Sequence, residues 1–189
     1  MTIENPTVPQ AYVPLRLAGR PLALKAVVLF LGVAFLTAAS WVQVPMWPVP
    51  VTMQTFAVMM VGALCGWRLG TATVLTWLAL SIPLPLLSQF ATLFAAVSTA
   101  GYLAAFPLMA AFVGFMAERG WTARPLPALA TLLVAGVICY ALGVPWLAHL
   151  IGTDNAIAFG LTPFLFGDAV KTLLAVALLT VLRRTLPAR

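Results

Sequence analysis

Two ionisable side chains stand where the surrounding sequence offers them no water. Asp168 and Lys171 lie in Gly167-Asp-Ala-Val-Lys171, within an apolar stretch that reads as a helix over 162–182. A spacing of i, i+3 puts both on one helical face, with Cβ atoms about 5–6 Å apart. Each charge at the centre of a membrane span costs roughly 2.5–3.5 kcal/mol on insertion scales, and mutual pairing lowers that cost. One meaning is an ion pair that only fixes helix packing. The other, the default for charge inside a membrane, is a functional site. Thr162-Pro163 marks the helix start, a capping residue followed by proline at the first helical position. Lys171 lies roughly 12–14 Å below that start. Helical side chains lean toward the N-terminus, where the positive end of the helix dipole also points. The pair suits a small ligand that offers an anionic group to Lys171 and an N–H to Asp168.

The rest of the chain says what kind of body holds them. Of 189 residues, 63% are hydrophobic and 7% charged, with a net charge of +6; the mean hydropathy is +1.07. An ordinary soluble domain carries charge at about a quarter of its positions, and disorder needs the opposite composition. A soluble enzyme and a disordered chain are both excluded, so the solvent is lipid. The ten basic residues form no patch of the kind a phosphate backbone needs, which excludes nucleic acid as a partner.

A span needs about 20 apolar residues. The uncharged stretches from Lys25 to Arg68 and from Arg68 to Glu118 each hold two, broken by prolines at 45, 48 and 50 and at 83 and 85. With two more beyond Glu118, the expected fold is all-α: six transmembrane helices over about 26–44, 53–67, 69–87, 98–117, 126–148 and 162–182. The expected domain layout is a cytoplasmic tail over 1–25, a six-helix binding domain over 26–184 and a short tail over 185–189. The first apolar run is too long for the h-region of a signal peptide.

Orientation follows from Lys and Arg, which concentrate in cytoplasmic loops. With the N-terminus inside, nine of the ten basic residues fall on the inner side: Arg16, Arg20, Lys25, Arg68, Arg119, Arg124, Arg183, Arg184 and Arg189. The tenth is Lys171. Both termini are therefore expected in the cytoplasm. The outer connections at 45–52 and 84–97 are uncharged and rich in Pro and Ser/Thr. Irregular backbone at that depth is tolerated where it lines a cavity, which favours an outward-facing pocket roofed by loops.

Other features read as structure. Gly62, Gly66 and Gly70 stand four apart, as do Ala34 and Ala38, and Ala110 and Gly114; small residues so spaced let helices approach closely. Cys65 and Cys139 are isolated in apolar runs and His149 has no second ligand in sight, so no metal or cofactor is expected. Trp41, Trp47, Trp77 and Trp146 fall near expected outer ends, where an aromatic belt belongs. HExxH, GxSxG and P-loop patterns are absent, so neither catalysis nor ATP hydrolysis by these routes is expected.

Pro48-Val-Pro-Val-Thr-Met-Gln-Thr-Phe56 and Gly62-Ala-Leu-Cys-Gly-Trp-Arg68-Leu-Gly70 resemble the signature of the BioY family, the substrate-binding components of bacterial biotin transporters of the energy-coupling-factor (ECF) type. Ser98-Thr-Ala-Gly-Tyr-Leu103 resembles that family's Pro-Thr-Gly-Gly-Tyr-Leu, and Gly143-Val-Pro-Trp-Leu147 with Pro163-Phe-Leu-Phe-Gly-Asp-Ala-Val-Lys171 resembles its last third. The resemblance implies a multi-pass protein of the bacterial inner membrane with a biotin pocket near the outer face. It adds Thr52, Gln54 and Tyr102 to Asp168 and Lys171 as pocket residues. The loops after helix one and between helices three and four would close the pocket. A coupling membrane protein, docking on faces such as Ala34 and Ala38, and ATP-binding subunits would be partners. The chain departs from the pattern at Ser98 and Ala100, and in the bulky stretch from Ser81 to Phe94.

Two other functions compete with biotin capture at this stage. The same fold can hold another small anionic vitamin or precursor such as dethiobiotin. A membrane enzyme or assembly factor can use Asp168 as a proton carrier.

Overall fold

The computed structural model describes Leu15 and residues 19–82 and 93–185. Six helices form within them: α1 Leu22–Trp41, α2 Gln54–Ser81, α3 Leu93–Glu118, α4 Pro125–Ile151, the short α5 Thr153–Gly160, and α6 Thr162–Thr185. Five stretches are long and apolar enough to cross a membrane, the last running from Thr153 to Thr185. The chain is a mostly helical, multi-pass membrane protein.

The helices expected over 53–67 and 69–87 form one element, α2, with a break inside it. At Gly66 the backbone takes φ 79°, ψ 173°, a region open essentially to glycine alone. A Cβ on Gly70 would stand 3.1 Å from the Gly62 Cα, whereas an unbroken helix holds residues eight apart at about 12 Å. The chain therefore doubles back at Gly66 into two packed arms. Gly62 in turn lies under α3, where an added Cβ would meet the Ala110 carbonyl oxygen at 2.7 Å. The small residues at 62, 70 and 110 thus serve packing within the chain. The second arm begins at Trp67, whose N–H donates to the Glu118 carboxylate at 3.1 Å, filling one of the orphan donors at a helix start.

Gly66→Ala forces a side chain into that backbone region and places its Cβ 2.5 Å from Glu118 Oε1. We expect a loss of about 1–3 kcal/mol, read as a lowered thermal unfolding temperature in detergent. An unchanged unfolding temperature contradicts this account of the turn.

Arg68, Glu118, Arg124 and Arg183 lie toward the same end of the bundle, where the Trp67 N–H reaches Glu118 and Arg183 donates to the Ala123 carbonyl. The opposite end differs from expectation in two places. The Pro-rich connection after α1 holds an antiparallel ladder, β1 Gln43–Val44 with β2 Val51–Thr52, tied to its ends by the Met53 N–H on the Val42 carbonyl at 3.0 Å. The connection before α6 contains α5, held to α4 by the Gly152 N–H on the Ala148 carbonyl at 2.9 Å.

Boundaries also shift. α1 begins at Leu22 rather than 26, because Pro21 supplies a preset φ at the helix start. Trp77 is not part of a surface belt. It is fully buried, with its indole N–H on Thr37 Oγ1 at 3.2 Å, while Trp41, Trp47 and Trp146 are exposed. Of the second expected roof, the part with Pro85, Ser88 and Gln89 lies outside the described residues, as do Pro83, Arg16, Arg189 and residues 1–14 of the tail, while 93–97 is not loop but the start of α3.

Candidate functional site

One cavity opens among the strand pair, α2, α3, α4 and α6, and Thr52, Gln54, Tyr102, Asp168 and Lys171 all line it. About 680 Å³ of space free of atoms lies between these walls, the open mouth included. Each polar group arrives on its own element. The ladder ends in Thr52; the first turn of α2 presents Gln54 and Thr55; Tyr102 comes from α3, Tyr140 from α4, and Asp168 with Lys171 from α6.

The ion pair forms as its spacing requires. Lys171 Nζ lies 2.8 Å from Asp168 Oδ1, with both side chains largely buried. Two further donors, which sequence reasoning missed, complete the arrangement. The Thr55 hydroxyl donates to Asp168 Oδ1 at 3.3 Å and accepts from Lys171 Nζ at 3.3 Å. The Tyr140 hydroxyl makes a short hydrogen bond to Asp168 Oδ2. A carboxylate has about four acceptor positions, and three are taken. Asp168 is therefore much less free for a ligand than the sequence suggests, with one position left on Oδ2. Lys171 keeps one of its three N–H donors unused among the described residues.

Gln54 is the second unfinished group. Its Oε1 accepts from the Thr52 hydroxyl at 3.0 Å, and that hydroxyl accepts from the Gln54 N–H at 3.3 Å. Its side-chain Nε2 is buried with no partner. A buried donor left unmade costs about 1–3 kcal/mol, so the site is built for an acceptor that the described residues do not supply.

Tyr102 contributes its ring rather than its hydroxyl. The O–H donates to the Gly160 carbonyl of α5 at 2.9 Å, and the ring lies nearly parallel to Phe164 with centroids 6.3 Å apart. Gly143 and Gly160 make the room; a Cβ on Gly160 would come 2.5 Å from the phenol oxygen. Tyr102→Phe should therefore loosen α5 by about 0.5–1.5 kcal/mol. Faster amide exchange across Thr153–Gly160 is the expected signature, and an unchanged rate refutes it.

The first expected roof is in place. Pro48 and Val49 are buried, Val49 and Pro50 line the cavity, and the Ser98 hydroxyl donates to the Pro48 carbonyl at 3.0 Å. Ala34 and Ala38 are exposed on α1, away from these walls. Cys139 joins the lining, with no cluster of three or more His, Cys, Asp or Glu among the described residues.

Donors and an ion pair set in an apolar chamber, with no activated nucleophile beside them, make a membrane protein that holds a small molecule. Its backbone matches the crystal structure at 2.1 Å of the S-component for biotin from an ECF-type ABC transporter, with a TM-score of 0.70 and 25% identity, covering 88% of this chain and 95% of that one. A probable biotin transporter BioY of Pyrococcus horikoshii is 34% identical over 149 residues, 77% of this chain and 88% of the relative. The biotin transporter BioY of Thermotoga maritima is 34% identical over 158 residues, 79% and 89% of the two chains. The BioY family profile matches residues 13–188. The chain belongs to the BioY family, a membrane transport protein and not an enzyme. That sets aside the reading of Asp168 as a catalytic proton carrier.

Proposed function

We propose that this protein captures biotin in the cavity, entered from the outer face of a bacterial inner membrane, and passes it inward with a coupling membrane protein and ATP-binding subunits. The relatives' names and the matched S-component support that reading. The observation that carries it is the convergence of Thr52, Gln54, Tyr102, Asp168 and Lys171 on one apolar chamber with unused donors. The doubling-back at Gly66 supports counting six crossings. The basic residues gathered at the end away from the cavity support cytoplasmic termini.

The ion pair also bears on which end of biotin meets it. Lys171 already has its counter-charge in Asp168, so a carboxylate there would compete with Asp168 for the ammonium. A neutral group carrying a carbonyl beside an N–H fits the pair better. The ureido ring of biotin has both, taking the unused Lys171 donor on its oxygen and giving an N–H to Asp168 Oδ2. The Gln54 amide then serves as a further donor to the ligand, and the rings of Tyr102 and Phe164 cover apolar parts.

Labelled biotin and the purified protein test this by equilibrium dialysis in detergent. Wild type should retain biotin, and Lys171→Met should weaken retention about 30-fold, for the loss of a charged hydrogen bond. No retention at micromolar biotin defeats the proposal. Biotin methyl ester should compete within about tenfold of biotin, because its blocked carboxylate lies away from the pair. Dethiobiotin winning the competition outright would reassign the ligand.

A further inference from the structure

Asp168 is held by more donors than an ion pair needs, and all three come from residues that line the cavity. Oδ1 takes Lys171 Nζ and the Thr55 hydroxyl; Oδ2 takes the Tyr140 hydroxyl. With roughly four acceptor positions on a carboxylate, a single one on Oδ2 remains. A ureido ring carries two N–H groups, so Asp168 satisfies one and cannot satisfy both. The second needs another acceptor close by.

The Tyr140 phenol oxygen meets that need. It lines the cavity and is fixed on Asp168 Oδ2 by its own proton. A phenol that has spent its proton in donating keeps lone pairs for accepting. Among neighbouring oxygens, Thr55 already accepts once from Lys171 and Gln54 Oε1 once from Thr52, which leaves each a single lone pair. Among the described residues, the Tyr140 oxygen carries no hydrogen bond besides the one it gives Asp168, so its acceptor capacity is intact.

We propose that Tyr140 is a specificity-determining residue of the ligand site. Its hydroxyl orients Asp168 so that Oδ2 receives one ureido N–H, and its oxygen receives the other. This rests on the reading of the cavity as a biotin site with the ureido ring at the ion pair. The site thereby demands two adjacent N–H groups and rejects a ring in which either nitrogen is alkylated, because a buried acceptor then meets a methyl group instead of a donor.

The test uses the full-length protein in detergent with three probes: biotin and its two mono-N-methyl isomers. Wild type should bind biotin at least about tenfold more tightly than either isomer. In Tyr140→Phe all affinities fall, because Asp168 loses an anchor. The discrimination against one isomer, the one whose methyl replaces the N–H facing Tyr140, should shrink to about twofold, while discrimination against the other persists. Thr55→Val also loosens Asp168, yet should weaken all three probes alike and leave both ratios as in wild type.

That split separates recognition from mere support of the fold. Equal wild-type affinity for biotin and both isomers overturns the proposal without any variant, which covers a Tyr140→Phe protein that does not fold. Wild type that binds biotin while Tyr140→Phe keeps both ratios overturns this inference and leaves biotin capture standing. No binding of biotin by wild type overturns both.

Discussion

Asp168→Asn should destabilise the protein by several kcal/mol and abolish tight ligand binding. The change leaves the Lys171 ammonium buried among Thr55, Tyr140 and apolar walls without its counter-charge. Breaking a buried pair by removing one partner typically costs about 3–5 kcal/mol. Removing both charges is a different matter, since well-packed apolar replacements are often neutral or stabilising. The double variant Asp168→Asn with Lys171→Met should recover most of the lost unfolding temperature and none of the binding. Thermal unfolding followed beside labelled-biotin retention checks both halves. If the single variant melts like wild type and holds biotin as well, the pair has neither role. A double variant that binds normally removes it from the site.

Gly143→Val should cost roughly a hundredfold in ligand affinity, the upper end of the 1–3 kcal/mol that overpacking costs. A side chain at 143 runs directly into the Tyr102 ring, which cannot retreat while its hydroxyl is held by Gly160 and its face lies on Phe164. The open direction is the cavity that Tyr102 lines, so the added bulk is relayed into the space a ligand would occupy. Gly136 sits on the same helix with nothing within 4 Å of its would-be Cβ, and Gly136→Val should leave affinity unchanged. Comparing the two variants by biotin dialysis isolates the effect of the ring. Equal affinities would mean that Tyr102 is not a wall of the site.

How far these features can be read before any coordinates depends on the range over which they are encoded. Lipid imposes long uncharged runs, so the spans were legible within a few residues at most ends. The pair was legible because three residues of one helix suffice to specify it. Tyr140 and Thr55 were not, since their partner Asp168 lies 28 and 113 residues away. Nor does a hydroxyl in an apolar helix point to a site, because most turn to their own backbone: Thr73, Thr76, Thr131 and Thr180 each donate to the carbonyl four residues earlier. A phenol in mid-span did carry some signal, as a buried tyrosine O–H usually finds a partner. Strands of two residues and a helix of eight fall below the length at which periodicity speaks, so β2 and α5 were read as plain loop and β1 as the end of the first helix. The glycine at 66 was noted for its spacing, while its turn showed only in the backbone angles. Thr52, Gln54 and Tyr102 came from family resemblance alone; the cavity gathers them through elements far apart in the chain.

Among the described residues, those that wall the cavity lie at Gln43 or beyond, so the first helix places no side chain in the lining. The loop between the two strands that follow is moored to α3, by Ser98 on Pro48. The first helix supports the enclosure from behind instead: Phe35 meets the Phe56 ring edge-on, Thr37 takes the Trp77 indole N–H, and the Met53 N–H rests on the Val42 carbonyl. If the coupling protein docks on the outward side of α1, substitutions at the exposed Phe30 or Ala38 should leave biotin retention as in wild type and lower uptake alone.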